Sequence, residues 1–312
     1  MDLRERQRPS AASLRLERSV TVVIVTRDRR DELTRTVGLL GELTPAARVI
    51  VVDNGSEDGT AWAVAAGYPR VRLVRSRSNL GALGRNLAVR GVQTRYVAFC
   101  DDDVRWQAGS LTRAADLLDA NPALASVTAR ILVDPSLEED PIVPELRDSP
   151  VPGPWWLPGP PLLSVLASAT MFRVAAFRQV GGFFPRLWLG GEEELLAIDL
   201  ATRGWWMCYA EELIVHHAPS KMRQLTRRRQ MGIRNTLWTT WLRRPASRAL
   251  VRTGTVLRSL PRDRASAVAV GEAVSGLPWV LRERGVVPPR VERGLRLLEE
   301  PQRNSKARRY VG

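Results

Sequence analysis

The first hundred residues alternate short apolar runs with segments of helical character. The apolar runs are uninterrupted and rich in β-branched residues, which is typical of strands that are covered on both faces. They lie at Val20–Thr26, Arg48–Asp53, Val71–Val74 and Tyr96–Cys100, and helices are predicted up to about Leu43, through Trp62–Ala66 and near 83–91. This alternation predicts an α/β fold with a mostly parallel, Rossmann-like sheet and helices on both faces.

Polar clusters follow three of these predicted strands. Ligands of open α/β sheets bind beyond the carboxyl ends of the strands, so the clusters predict a binding site at that edge. The clusters are Thr26-Arg27-Asp28, Asp53-Asn54-Gly55-Ser56 and Asp101-Asp102-Asp103.

The triplet Asp101-Asp102-Asp103 is the strongest chemical signal. Adjacent carboxylates repel one another, and a hard divalent cation held by one or two of them together with diphosphate oxygens would compensate. The alternative is a solvated acidic turn in which Asp103 opens the next helix. Similarly, Asp53 could accept from a nucleobase or a ribose, or could form a simple Asx turn.

The second half of the chain carries two further candidate clusters. Gly190-Gly191-Glu192-Glu193-Glu194 precedes a helix predicted over Glu192–Arg203, so its acids could serve the helix dipole or act as a general base. His216 and His217 follow the strand-like Leu213–Val215, and they could bind a metal or phosphate or could simply be packed. Residues 134–161 hold nine of the 21 prolines, which predicts an irregular, partly mobile excursion.

Composition narrows the class of protein. The chain has 312 residues, 44% of them hydrophobic, which is ordinary for a globular protein with a sizeable core. Cys100 and Cys208 are too few for a disulfide framework, so both are expected to be buried and reduced. The N-terminus lacks the apolar segment of a secretory signal, and the expected location is the cytoplasm.

The basic residues are concentrated near the C-terminus. The net charge is +14, and residues 221–312 hold 22 of the 47 Lys and Arg but only 6 of the 33 acids. A helix with Ile233, Leu237 and Trp241 on one face lies among these arginines. The segment 221–262 is therefore expected to contact an anionic membrane surface, at the inner face of the plasma membrane. Packing on the catalytic domain or a homodimer are alternatives, and nucleic-acid binding is the least favoured.

Taken together, the clusters resemble the family 2 glycosyltransferases, enzymes with the GT-A fold. Seven stretches agree in order and spacing over about 200 residues. They are VTVVIVTRDR at 20–29, VIVVDNGSEDGT at 49–60, NLGALGRN at 79–86, YVAFCDDDV at 96–104, VGGFFP at 180–185, GGEEELLAIDLATRGW at 190–205 and ELIVHHAPS at 212–220.

The resemblance implies a nucleotide-sugar site and a metal site. Asp101 and Asp103 would be the acids of the DXD motif, with Asp103 on Mn²⁺ or Mg²⁺ and Asp101 on the donor ribose or the metal. His216 matches a late histidine that contacts the metal or diphosphate in several relatives. The nucleoside pocket would be lined by Thr26 and Asp53, with Arg27, Asn79 and Arg85 nearby, and Asp102 belongs to the same donor site.

The resemblance also implies a general base. The family usually shows Glu-Asp where this chain has Glu192-Glu193, so Glu193 falls at the base position and Glu192 is the alternative. The expected reaction is metal-dependent, inverting transfer of a sugar from a UDP-, dTDP- or GDP-linked donor to a hydroxyl of a glycan or lipid-linked acceptor in envelope or polysaccharide biosynthesis. A sugar nucleotidyltransferase would prefer a Gly-rich loop after the first strand, and TRDRRDE is not one. A non-catalytic nucleotide- or membrane-binding relative is the other alternative.

The same comparison divides the chain. An N-terminal tail is expected over 1–18 and a catalytic domain over 19–220, with a nucleotide-sugar half (19–105) and an acceptor half (106–220). A basic helical extension is expected over 221–312.

Overall fold

The computed structural model describes residues 16, 18–44, 47–219 and 225–305. Most of the predicted N-terminal tail, 1–18, lies outside the described residues, as do 220–224 and 306–312. The first elements are β1 (Val20–Thr26), α1 (Arg30–Leu43), β2 (Arg48–Asp53), α2 (Thr60–Gly67), β3 (Arg72–Arg75), α3 (Leu83–Arg90) and β4 (Tyr96–Asp101). The four strands are parallel in the order β3-β2-β1-β4 and are joined by helices, as predicted.

The following residues extend this sheet with strands of both directions. The elements are β5 (Val104–Trp106), α4 (Ser110–Ala120), β6 (Leu124–Val133), β7 (Glu138–Glu139), α5 (Val143–Arg147), a 3₁₀ turn (Ala167–Ala169), β8 (Thr170–Arg173), α6 (Val174–Gln179), α7 (Glu192–Thr202) and β9 (Trp206–His217). β8 runs antiparallel between β4 and β6, and the full strand order is β3-β2-β1-β4-β8-β6-β9-β5, with β7 paired to β6. The predicted α/β class is confirmed.

The core lies on both faces of this sheet. β1 and β4 are almost wholly buried, as their apolar runs predicted. The Phe99 ring on β4 packs against those of Phe172, Phe177 and Phe183, with ring centroids 5.5 to 5.9 Å apart. Burying one such side chain contributes about 1.5–3 kcal/mol. The two cysteines are free and buried, as expected.

The long strand β9 changes its pairing part-way along. It runs parallel to β6, and the register shifts between the Ala129–Ala210 and Arg130–Ile214 pairs. Beyond this bulge the end of β9 also pairs with β5, the short strand that follows the acidic triplet. The two histidines are thereby brought to the turn that carries the aspartates.

The C-terminal residues form helices α8 (Leu225–Arg243), α9 (Ala246–Ser259), α10 (Arg264–Ser275), α11 (Leu277–Arg282) and α12 (Pro289–Asn304). The apolar face of α8 is covered. Ile233, Leu237, Trp238 and Leu242 are buried in a second core cluster that also contains Leu187 and Leu195, which precede the C-terminal helices. For the apolar face of α8 the structure therefore corrects the expectation of membrane contact, because that face packs within the chain.

The last helix returns to the sheet. Val291, Leu295 and Leu298 of α12 belong to the same core cluster as the strands. Gly294 lies directly on Leu163, because a Cβ added there would be 2.6 Å from Leu163 Cδ1. The basic extension is thus split between two cores.

The proline-rich segment 134–161 is irregular, as predicted, except for β7 and α5. Its Val151 is buried and its Trp155 is 94% exposed. Within the described residues, every helix is too short or too polar to cross a bilayer.

Candidate active site

The polar clusters predicted at the strand ends lie side by side. In the sheet register Thr26 is opposite Asp53, Val25 is opposite Asp101, and Asp53 is opposite Arg75. The three strands end at nearly the same level because β1, β2 and β4 are seven, six and six residues long and are paired in register. Each cluster therefore opens on one edge of the sheet.

Asp53 is fully buried at this edge. Its Oδ1 accepts from the backbone N–H of Ser56 at 2.8 Å, and its Oδ2 accepts from Arg75 Nε at 3.3 Å. The Asx turn is therefore present, and an arginine faces the same carboxylate. Arg27 is exposed at the rim, where its Nε donates to Asp28 at 3.1 Å.

The three adjacent aspartates have different surroundings. Asp102 is buried and accepts from the Thr26 hydroxyl at 2.8 Å and from Arg29 Nη1 at 2.7 Å. Burial raises the pKa of Asp102 to about 6, and Arg29 only partly offsets that rise. Thr26, predicted to line the nucleoside pocket, thus has its hydroxyl on the central aspartate.

The outer two aspartates meet cations. The Asp101 carboxylate is 43% exposed and accepts from Arg85 Nη2 at 2.5 Å. The Asp103 carboxylate is buried and accepts from Arg29 Nη1 at 3.2 Å. Arg29 therefore bridges Asp102 and Asp103, while Asp101 faces the open side with a cation of its own.

The structure places His217, and not His216, beside the predicted metal carboxylate. Nε2 of His217 lies 3.8 Å from Oδ1 of Asp103. His216 points the other way along the alternating strand, with Nδ1 3.2 Å from Asp134 Oδ1 and Nε2 3.3 Å from Gln107 Oε1. The prediction had chosen His216 for this position. In the register between β9 and β5, His217 pairs with Val104 and His216 with Arg105, so it is His217 that lies near Asp103.

Arg85 lies at the centre of the acidic side chains. Its guanidinium carbon is 6.0 Å from the Phe99 ring and 5.7 Å from the Phe183 ring. Burial lowers the pKa of Arg85, but the carboxylates of Asp101, Glu193 and Glu192 outweigh burial and raise it. The arginine predicted near the nucleoside is therefore a shared counter-charge for Asp101, Glu192 and Glu193.

Glu192 and Glu193 open α7 behind the Gly190–Gly191 turn. Glu192 is 4% exposed, and burial raises its pKa. Glu193 is partly exposed, and its Oε1 accepts from the Ala167 N–H at 2.5 Å. Burial and then the neighbouring charge of Glu192 raise the pKa of Glu193 to about 7. A partly exposed carboxylate that titrates near neutrality suits a general base.

Asn79 contacts the residues that precede the Gly190–Gly191 turn. Its Oδ1 accepts from the Gly81 N–H at 2.9 Å, and its carbonyl accepts from the Trp188 indole at 3.1 Å. Asn79 therefore connects the predicted donor site to the segment ahead of α7.

Two residues at or beside the site had no role in the sequence interpretation. Arg29 holds two of the aspartates, and Asn235 of α8 contacts the segment before α7. The sequence signal for Asn235 is an amide at helical spacing from the apolar residues Met231, Trp238 and Leu242, all of which are buried.

The fold and the acidic edge of its sheet define a GT-A enzyme. The family model described as glycosyl transferase family 2 matches residues 21–180, which is just over half of the chain. The chain belongs to this family and is a glycosyltransferase.

Individual relatives agree with that family. The N-acetylglucosaminyl-diphospho-decaprenol L-rhamnosyltransferase of Mycobacterium tuberculosis is 29% identical over 234 residues, covering 63% of this chain and 75% of its own. The mannosyltransferase PcManGT of Pyrobaculum calidifontis, solved with GDP-Man and Mn²⁺, has a TM-score of 0.58 at 19% identity, covering 94% of this chain and 84% of its own. GalNAc-T7, solved with UDP, GalNAc and Mn²⁺, has a TM-score of 0.59 at 14% identity, covering 85% and 56%.

Proposed function

We propose that this glycosyltransferase moves a sugar from a nucleotide-sugar donor to a hydroxyl of a lipid-linked or glycan acceptor in envelope polysaccharide biosynthesis, with inversion and with a divalent metal. The observation that carries the proposal is the convergence of Asp101 and Glu193 on Arg85. Donor-side and base-side acids then flank one reaction centre.

The relatives support the choice of donor and acceptor. The mycobacterial relative is named for a decaprenol-linked acceptor and a rhamnosyl group, and the two structural neighbours hold a guanosine or a uridine nucleotide with Mn²⁺. A polyprenyl-diphosphate acceptor and a nucleoside-diphosphate donor are therefore the classes that we propose for this chain.

The side chains at the edge of the sheet fit a hard divalent cation. Asp101 and Asp103 supply carboxylate oxygens, and His217 adds an imidazole beside Asp103. Among the described residues, no group of three or more His, Cys, Asp and Glu is arranged to hold a metal alone, so donor diphosphate oxygens and water would complete the coordination. When bound, the metal would neutralise charge on the departing nucleoside diphosphate.

The chain's own residues then account for the remaining chemistry. Glu193, ionised, takes the proton of the acceptor hydroxyl as the acceptor oxygen bonds to the anomeric carbon. The bond from that carbon to the donor diphosphate breaks on the opposite face, and the nucleoside diphosphate leaves with the electron pair. Asp53 holds the nucleoside end, and Glu192, which is more deeply buried, supplies the negative charge that keeps Glu193 basic.

A donor panel tests this proposal. UDP-, dTDP- and GDP-linked sugars are added with and without Mn²⁺, and thermal stability and nucleoside-diphosphate release are measured. We expect one donor class to stabilise the protein in a metal-dependent way, and Asp103→Asn to remove the metal dependence. Asp148→Asn, an exposed acid, is the matched control. Metal-independent stabilisation would remove the metal from the mechanism. Failure of the wild type to release nucleoside diphosphate from any of the donors would contradict the function.

The membrane contact expected for 221–262 is proposed for α9 in place of α8. Leu250 and Leu257, seven residues apart on one side of the helix, are 62% and 44% exposed, and Val251 is 61% exposed. Arg248 and Arg258 are exposed on the same helix, and 221–262 contains no acid. Apolar side chains among arginines fit an anionic bilayer surface, with about 1 kcal/mol from each basic residue near it.

Vesicle binding tests this surface. Sedimentation with vesicles of phosphatidylglycerol, against vesicles of phosphatidylcholine, should show binding to the anionic lipid that is lost in Leu250→Asn/Leu257→Asn. Val274→Asn, which changes an equally exposed residue on α10, is the control. Equal binding by both variants contradicts the placement. A change in oligomeric state without vesicles would identify α9 as a dimer interface instead.

A further inference from the structure

The segment Leu187–Gly191, ahead of α7, has no regular secondary structure. It takes left-handed backbone angles at Trp188 (φ 57°), Gly190 (φ 82°) and Gly191 (φ 83°). Such a segment has no hydrogen-bond ladder of its own, so contacts from outside must define its path. Its path determines where Glu192 and Glu193, the first two residues of α7, begin.

Asn235 of α8 supplies those contacts on one side. Its side chain is fully buried, and its Nδ2 donates to the carbonyls of Leu187 at 2.7 Å, Leu189 at 3.1 Å and Gly190 at 2.5 Å. An amide NH₂ has two hydrogens, so three carbonyls share them. The amide oxygen accepts from Arg234 Nε at 3.0 Å, which fixes the orientation of the amide.

The carbonyl of Trp188 is held from the opposite side. Trp188 O accepts from the Ala82 N–H at 2.8 Å, and the Trp188 indole donates to Asn79 O. A Cβ at Gly81 would lie 2.4 Å from Trp188 O, so that approach depends on glycine. The segment is thus clamped between α8 and the Asn79–Ala82 turn on the donor side.

On the α8 side, the backbone of the segment lies close to the helix at Gly190 and Gly191. A Cβ added at Gly191 would lie 3.3 Å from Asn235 Cβ, and one added at Gly190 would lie 3.5 Å from Gly232. Positive φ favours glycine at both positions, and at Gly191 the added Cβ would also be closer to α8 than most real Cβ contacts. The Asn235 amide and the two glycines therefore together hold the segment against α8.

We propose that Asn235 is a positioning residue for glycosyl transfer, which holds the Leu187–Gly191 segment so that the carboxylate of Glu193 faces Arg85 and Asp101. This inference rests on the proposed function. It makes the C-terminal helix α8 part of the catalytic apparatus, although α8 lies outside the 21–180 region that the family model matches. Asn235 touches neither donor nor acceptor and acts through the backbone that carries the base.

The expected effect is on the chemical step. A base that is displaced by about 1 Å can lose roughly 100-fold in rate, whereas Asp53 and the strand ends that bind the nucleoside stay where they are. Asn235→Ala and the milder Asn235→Ser should therefore lower kcat far more than donor affinity. Trp238→Phe is the control on the same helix, because it removes the indole bond from α8 to Ala273 O of α10 and leaves the Asn235 amide in place.

Two readouts are combined. Hydrogen exchange of backbone amides 187–195 should speed up in both Asn235 variants and not in Trp238→Phe. Donor-dependent turnover should fall roughly 100-fold in Asn235→Ala and less in Asn235→Ser, with donor Kd, measured by calorimetry, little changed.

The failures are distinguishable. The positioning role is overturned if hydrogen exchange is unchanged in a folded Asn235 variant. It is also overturned if the variant loses no more kcat than the Trp238→Phe control. Either result leaves the proposed function standing. Absence of turnover in the wild type with every donor overturns both. If Asn235→Ala does not fold, Asn235→Ser carries the same comparison.

Discussion

Arg85 Nη2 lies 2.5 Å from Oδ1 of Asp101, and the positive charge of the same guanidinium lowers the pKa of Glu193. One cation therefore acts both on the acid that we propose for the donor side and on the proposed base. Any change in how Asp101 is neutralised alters the charge that Glu193 experiences. The pair couples the two halves of the site electrostatically.

Replacement of Arg85 by Gln should raise the pKa of Glu193. The substitution removes a positive charge that favours the ionised carboxylate, so the acidic limb of the kcat profile should move to higher pH. A pH profile of donor-dependent turnover measures the shift. Arg173→Gln is the control, because Arg173 donates to backbone carbonyls and not to acids. An unmoved limb would show that Arg85 does not influence the base.

Glu193→Gln should abolish transfer while donor binding persists. Loss of a positioned general base typically costs 10²–10⁴-fold, and we expect a loss of about that size in kcat. Glu192→Gln should be milder, since Glu192 is buried and acts through its charge. Turnover and donor calorimetry are measured on both variants. A larger loss in Glu192→Gln would exchange the two roles.

The wild-type rate should rise with pH and level off above about 7. Burial and the Glu192 charge raise the pKa of Glu193 to about 7, and only the ionised carboxylate accepts a proton. Turnover between pH 5.5 and 9 measures this limb. A rate that is already level at pH 5.5 would contradict the assignment of Glu193.

Glu193→Gln should stabilise the protein at alkaline pH. The raised pKa means that stability is full below the ordinary glutamate pKa and falls as pH rises to about 7, where the partly desolvated carboxylate ionises. The melting temperature of the variant should therefore exceed that of the wild type by at least about 2 °C at pH 8 and match it at pH 4. Thermal unfolding at the two pH values measures the difference, and the opposite ordering would contradict the raised pKa of Glu193.

The buried ion pair between Arg244 and Glu292 should be needed for stability. Its atoms meet at 2.7 and 3.0 Å, and both residues are under a tenth exposed. Arg244→Met should cost about 3–5 kcal/mol in the free energy of unfolding, because it leaves a buried carboxylate without its partner. Arg113→Met, which breaks an exposed pair with Glu212, should cost less than about 1 kcal/mol. Chemical denaturation compares them.

The sequence was sufficient for the nucleotide-side half because its signals are local. Val20–Thr26 and Tyr96–Asp101 are strands whose apolar runs are covered on both faces, and each ends at a polar cluster. Matched strand lengths then align the clusters without further information. The acidic turn before α7 was equally visible, because two glycines precede three acids.

The remaining assignments depended on long-range register. His216 and His217 are adjacent, so only the pairing of β9 with β5, more than a hundred residues earlier, determines which one faces Asp103. The apolar residues of α8 have the pattern expected of a helix that lies on a membrane surface. Their burial depends on contacts with Leu187 and Leu195. Local patterns do not contain those partners.

The return of α12 to the sheet restricts how this chain could be recombined with its relatives. Gly294 rests on Leu163, so the end of the chain is shaped to a surface formed some 130 residues earlier. A chimaera that exchanged the C-terminal helices alone would bring in a helix cut to a different surface. Among relatives, the two regions should therefore change together, and substitutions at Leu163 and Gly294 should be correlated.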